Sequence, residues 1–199
     1  MTPLSDELAS ICNHLLRETG ADRTTIRLDA DELGLTVDLT AAEAVANGTP
    51  SIAADSSLDQ RALGTVRWLA ANRRVLIQAH FSEPPFPPPA LVQLYGVNAQ
   101  ILAPILDGNA LVGWVSVHST HPRLWSDDDV AAAERAAAES TSCVNAVLQR
   151  ARGTSFADPS SDEVVPPVHA VEHHLDEFPL RPEPPERGGG GPPRRRPDQ

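Results

Sequence analysis

The segment GVNAQILAPILDGNALVGWVSVH, residues 96–118, decides the fold. Two apolar runs, residues 100–106 and 111–118, flank the sequence DGN at residues 107–109. Asp-Gly and Gly-Asn steps tolerate the positive φ angles that tight hairpin turns require. The segment therefore predicts a strand, a tight turn and a second strand, and we expect this hairpin to form the centre of a sheet.

Further elements are predicted on both sides of this hairpin. Leu4, Leu8 and Ile11 begin a helical pattern that ends near Thr19. A last helix begins at Ser126, whose hydroxyl can cap the helix with Asp129 three residues on, and it continues to residue 150. Between these helices the patterns predict a strand hairpin at 24–29 and 33–39, a helix at 59–72, a strand at 75–79, a proline-rich loop at 84–89 and a short helix at 90–95.

Composition restricts the class of protein. The formal net charge is −11, and residues 1–150 hold ten Arg against eighteen Asp and Glu, which disfavours nucleic acid as a partner. Cys12 and Cys143 share no metal-ligand or redox spacing, so we expect reduced thiols. We find no signal segment and no apolar run long enough to span a membrane, so we expect a cytoplasmic protein with no membrane partner. Residues 151–199 are rich in proline and glycine and predict a disordered tail.

The order of these elements, and residues 96–118 with a proline in the first strand and a glycine in the second, resemble the GAF domain. The resemblance covers about residues 4–150 and implies an α+β, PAS-related fold for a domain over residues 1–150. In this fold an antiparallel sheet carries the terminal helices on one face and a ligand pocket on the other. GAF domains typically bind a small molecule such as a cyclic nucleotide, a tetrapyrrole or a metabolite, and they often dimerise through their terminal helices.

Alternation along the strands separates two sets of side chains. One set is aliphatic and suited to packing beneath the terminal helices: Ile26, Leu28, Val75, Ile77, Ile101, Ala103, Ile105, Val115 and Val117. The other set is polar with one aromatic member: Arg27, Gln78, Gln100, Trp114, Ser116 and His118. In the resembled fold the second face lies toward the pocket, so it predicts a ligand site. The alternative is a face that is merely half solvated.

The helix predicted at 59–72 adds Arg67, which could bind a carboxylate or phosphate, and Trp68, which could form an apolar wall. The expected ligand site is therefore Arg67, Trp68, Gln78, Gln100, Trp114, Ser116 and His118, with the proline-rich loop closing over it. Arg67 favours an anionic ligand. We expect no metal site, because His80 and His118 have no second ligand at diagnostic spacing.

These features predict a sensory or regulatory domain that binds a small molecule and relays its occupancy to a partner protein. No nucleophile elbow, Walker loop or HExxH motif is present, so we do not expect an enzyme. The sequence does not specify the ligand or any cofactor. The alternative is a ligand-free adaptor that acts through its terminal helices and tail, and the alanines at 131–133 and 136–138 would allow the close helix approach of a homodimer.

Overall fold

The computed structural model describes residues 3–54 and 59–154. Four α-helices and five strands are defined in these ranges, beside two short 3-10 turns: α1 (Leu4–Thr19), β1 (Arg23–Leu28), β2 (Ala42–Val45), α2 (Gly64–Asn72), β3 (Leu76–Gln78), α3 (Pro89–Gln93), β4 (Ala99–Asp107), β5 (Ala110–Ser119) and α4 (Asp127–Thr154). The predicted domain boundary at residue 150 falls inside α4, which continues to Thr154. The rest of the predicted tail lies outside the described residues.

The five strands form one antiparallel sheet in the order β2-β1-β5-β4-β3. The predicted hairpin of β4 and β5 is confirmed, and β5 is the central strand of the sheet. Pro104 is tolerated in β4 because β3 pairs only with residues 100–102, so the missing N–H falls beyond the end of that ladder. The α+β class with an antiparallel sheet is also as predicted.

The two terminal helices pack against each other and cover one face of the sheet. The core beneath them contains seven of the nine predicted aliphatic strand residues as buried members: Ile26, Leu28, Ile101, Ala103, Ile105, Val115 and Val117. Val75 is partly buried against this core. Ile77 was expected there too, but it is 50% exposed because β3 lies at the sheet edge, whereas the helices pack on β1, β2, β4 and β5.

The start of α4 has the predicted cap. The N–H of Asp129 donates to the Ser126 hydroxyl over 3.1 Å, and the N–H of Ser126 donates back to the Asp129 carboxylate over 2.9 Å. This reciprocal pair satisfies two backbone donors that a helix start leaves without partners. No helix within the described ranges is long and apolar enough to cross a bilayer.

The prediction of a second hairpin strand at residues 33–39 is wrong. Residues 33–39 contain the end of a short 3-10 turn, an isolated bridge from Leu35 to Ala30 and a bond from the N–H of Val37 to the Asp29 carboxylate. These local bonds compete with strand pairing. Residues 42–45, AEAV, pair with β1 instead, and their low intrinsic strand preference explains why the pattern did not indicate them.

The sheet has no room for a side chain at position 113, which is occupied by Gly113. It lies opposite Leu28 in β1 and Ile105 in β4. A Cβ at this position would lie 2.3 Å from the carbonyl oxygen of Arg27 and 3.1 Å from the Cα of Leu28. The backbones of β1 and β5 therefore approach too closely for any other residue.

We expect Gly113→Ala to lower the free energy of unfolding by about 1–3 kcal/mol, because β1 must move away from β5 to admit the methyl group. Gly64→Ala is the matched control, since its Cβ would meet nothing closer than 3.7 Å and its φ is ordinary. Urea unfolding of both variants measures the difference. Equal stability of Gly113→Ala and the unmodified protein would contradict the close approach.

Candidate functional site

A cavity of about 60 Å³ lies on the sheet face opposite the terminal helices. Alternate residues of β1, β4 and β5 line one side of it. The opposite side is lined by Thr65 and Val66 of α2, by the loop containing Ile52, and by the segment from Pro88 to Tyr95. The polar face predicted from alternation therefore lies beneath a cover and is not half solvated.

Four of the predicted site residues line this cavity: Gln100, Trp114, Ser116 and His118. All four are at most 4% exposed. Gln78 lies beside the cavity, and its Oε1 accepts a hydrogen bond from Nε2 of Gln100 over 2.7 Å. The sheet therefore brings five of the seven predicted residues together, four in the lining and one behind it.

Arg67 and Trp68 lie outside the cavity lining, contrary to the prediction. Arg67 is exposed, whereas Thr65 and Val66 face the cavity. Successive helical residues turn by about 100°, so Arg67 points away from the residues that precede it. Trp68 is half-buried against the small core under α2, and the guanidinium of Arg74 lies 5.4 Å from its ring centre.

Arg27 supplies the charge that was expected from Arg67. It lies on the polar face of β1, where the alternation placed it without a role, and it lines the cavity. Its Nη1 donates to the carbonyl oxygen of Val37 over 2.8 Å, which fixes one side of the guanidinium. Arg27 is the charged member of the lining, and no carboxylate lines the cavity among the described residues.

Sequence reasoning missed Arg23, whose side chain is completely buried. Its Nη2 donates to the carbonyl oxygen of Pro50, and its Nε lies 3.5 Å from Oε1 of Glu43. The guanidinium lies 5.6 Å from the ring centre of Tyr95, which lines the cavity. Nε and Nη1 of Arg23 have no hydrogen-bond partner within the described parts of the chain. Arg23 is four positions before Arg27 on β1, so alternation could have placed it on the polar face of the sheet. The sequence pattern could not have indicated its burial or its contacts with Glu43 and Tyr95.

His118 lies directly opposite Arg23 in the pairing of β1 with β5. Its Nδ1 is also buried and without a hydrogen-bond partner among residues 3–54 and 59–154. Burial, together with the positive charges of Arg23 and Arg27, lowers the pKa of His118 to about 3. The imidazole is therefore neutral at pH 7.

The proline-rich loop is anchored over the site. Nε2 of Gln78 donates to the carbonyl oxygen of Pro85 over 2.8 Å, and Pro88 lines the cavity. The backbone carbonyl of Gln78 in turn accepts a bond from the Trp125 indole over 3.1 Å. Gln78 therefore links the cavity wall, the loop above it and the residues that precede α4.

The lining suits binding better than metal chemistry. No group of three or more His, Cys, Asp or Glu side chains that could hold a metal ion occurs in the described part of the chain. Cys12 and Cys143 are free and lie in α1 and α4, which cover the opposite face of the sheet. The chemistry available in the cavity is hydrogen bonding by Gln100, Ser116 and His118 beside a guanidinium.

Comparisons with known proteins agree with this architecture. A family model described as GAF domain matches residues 3–142. The blue-light absorbing form of the Thermosynechococcus elongatus PixJ GAF domain is similar, with a TM-score of 0.61 and 18% identity, over 77% of this chain and 92% of that chain. The GAF domain of a phosphoenolpyruvate-protein phosphotransferase from Coxiella burnetii has a TM-score of 0.58 and 16% identity, over 77% and 88%. At these identities the likeness shows the fold alone. No curated protein matches the chain.

We expect acid to destabilise the protein through His118. An unfolded histidine takes up its proton near pH 6.5, whereas folded His118 stays neutral down to about pH 3, so stability falls as the pH drops below 6.5. Between pH 7 and pH 5 the loss is about 2 kcal/mol. Urea unfolding at both pH values measures it, and His118→Gln should remove this loss.

His80→Gln is the matched control, because His80 is exposed and its replacement should leave the pH dependence unchanged. A His118→Gln variant that loses as much stability between pH 7 and pH 5 as the unmodified protein would contradict the burial of a neutral imidazole.

Proposed function

The chain belongs to the GAF domain family, and we propose that it is a sensory or regulatory module that binds a small molecule in the cavity and relays its occupancy to a partner protein. The observation that carries the proposal is the covered cavity itself. A purely structural sheet face would be filled with aliphatic side chains, because buried polar groups cost free energy unless they find partners. Here Gln100, Ser116 and His118 are buried around a space.

The size of the cavity selects the class of ligand. Pockets for drug-sized ligands have volumes of about 300–1,000 Å³, well above the 60 Å³ found here. The cavity therefore favours a metabolite of a few heavy atoms over a cyclic nucleotide or a tetrapyrrole. The neighbouring Thermosynechococcus elongatus domain is named for absorbing blue light. Cys12 and Cys143 do not line the cavity.

A chain of hydrogen bonds offers a route for the relay. Gln100 in the cavity wall bonds to Gln78, and the carbonyl of Gln78 accepts from Trp125, which precedes the cap of α4. A ligand that changes the Gln100 side chain would therefore change the support of the α4 N-terminus. Hydrogen exchange in the first turn of α4 tests this route, and exchange rates that are identical with and without bound ligand would count against it.

The adaptor function remains the second candidate because α4 extends along a groove. A depression of about 360 Å³ separates the C-terminal half of α4 from the turn end of the sheet, and Thr141, Val144 and Leu148 line its helix side. Such an incompletely packed helix face suits a homodimer or another helical partner. Dimerisation, the cytoplasmic location and the disorder of the tail stay predictions.

A ligand screen separates the two candidates. We expect metabolites of about four to seven heavy atoms to raise the melting temperature. At a ligand concentration one hundred times the Kd, the free energy of unfolding should rise by about 2.7 kcal/mol. Cyclic GMP and biliverdin should not do so, because the cavity is too small for them. The measurement is differential scanning fluorimetry.

The test variant is Ser116→Val, which fills the cavity with a residue that suits a strand and should abolish stabilisation by the metabolite. Ser142→Val makes the same change on the exposed side of α4 and should leave it intact. If no small metabolite stabilises the protein, or if Ser116→Val responds like the unmodified protein, the adaptor function is the better account.

A further inference from the structure

Three buried nitrogen atoms near the His118 end of the cavity have no hydrogen-bond partner within the described ranges. They are Nδ1 of His118, which lines the cavity, and Nε and Nη1 of Arg23, which lies outside the lining and whose Nε is ion-paired with Glu43 over 3.5 Å. The two residues are opposite each other on adjacent strands. Buried polar groups in native proteins nearly always have hydrogen-bond partners, so the unpartnered Nδ1 of His118 in the described lining indicates a polar occupant.

The charged residues near the His118 end of the cavity determine which sign of charge the occupant should carry. Arginine can only donate hydrogen bonds, so its partner must be an acceptor. Glu43 lies 3.5 Å from Nε of Arg23 and balances part of its charge, and its oxygens also accept from the Ser51 hydroxyl and from the N–H of Ile52 over 2.9 Å. Arg27, opposite Trp114 on β1, adds a positive charge to a lining that holds no carboxylate among the described residues, and both arginines act electrostatically on His118. A negatively charged acceptor matches this field.

The remaining wall limits the rest of the occupant. Leu63, Val66, Leu102 and Trp114 give the cavity an apolar portion next to its polar end. A bare inorganic anion would leave this portion without contacts, whereas a short hydrocarbon group would fill it. The volume of about 60 Å³ leaves room for only a few heavy atoms.

We propose that the ligand of the cavity is a short-chain carboxylate whose carboxylate group lies at the His118 end, in front of Arg23 and within the field of Arg27. This inference rests on the proposed function and specifies the chemical class of its ligand. His118, Ser116 and Gln100 supply the direct hydrogen-bonding groups, and Arg23 acts from behind the wall formed by His118 and Tyr95. The hydrocarbon end lies against Leu102 and Val66.

The test compares sodium propionate with propionamide, its neutral isostere, at constant ionic strength set with sodium chloride. We expect propionate to bind at least tenfold more tightly than propionamide in isothermal titration calorimetry. Arg27→Gln should weaken propionate binding about tenfold, because it removes a positive charge of the lining that attracts the carboxylate without contacting it. Arg67→Gln removes the same charge from the outer side of α2 and should change the affinity less than twofold.

His118→Gln provides a second variant if Arg27→Gln does not fold, and it should also weaken propionate binding at least tenfold. Equal binding of propionamide, equal losses in Arg27→Gln and Arg67→Gln, or tighter binding of inorganic phosphate than of propionate would each overturn the carboxylate assignment. If neutral metabolites bind in the wider screen and propionate does not, the carboxylate assignment fails and the sensory function stands. If nothing binds in either experiment, both fail.

Discussion

The pairing of β5 with its two neighbours is the constraint on which the rest of the structure depends. β5 is the central strand, and Gly113 allows the backbone of β1 to approach within a distance that any side chain would prevent. The resulting register sets Arg23 against His118 and Arg27 against Trp114. Because successive side chains point to opposite faces, the same register sends Val115 and Val117 beneath the terminal helices. One pairing thus determines both the core and the cavity.

The two faces of the sheet meet different physical demands. Under α1 and α4 the side chains are aliphatic or small, and burial of apolar area stabilises the packing. On the other face, buried polar groups reduce stability unless they find partners, and nitrogen atoms of His118 and Arg23 have no hydrogen-bond partner in the part of the chain that the structure describes. A face that keeps such groups is better explained by a ligand than by the stability of the domain. The proposed site follows from this difference in the chemistry of the two faces.

Local signals were sufficient for part of this account. The β4–β5 hairpin and the cap of α4 depend on residues a few positions apart, and both could be predicted from the sequence. Alternation also identified Gln100, Trp114, Ser116 and His118 as neighbours. Residues 42–45 could not be recognised, because their alanines carry no strand signal and their pairing with β1 is determined by the tertiary fold.

The charged residues were harder to assign. Arg67 was chosen for its charge, but the rotation of α2 that turns Thr65 and Val66 inward also turns Arg67 outward. The importance of Arg23 depends on what surrounds it, namely Glu43, which lies 3.5 Å from its Nε, and His118 on the adjacent strand. Neither the orientation of Arg67 nor the surroundings of Arg23 follow from a recognisable spacing of residues in the sequence. Side-chain environments of this kind require the three-dimensional register.

The claim that the cavity binds a short-chain carboxylate is tested most directly by a high-resolution structure from crystals grown in the presence of sodium propionate. We expect continuous density for a carboxylate in the cavity, with an oxygen within hydrogen-bond distance of His118 and the hydrocarbon end against Leu102. A cavity that holds only ordered water under these conditions, or one that is closed by rearranged aliphatic side chains, would contradict it.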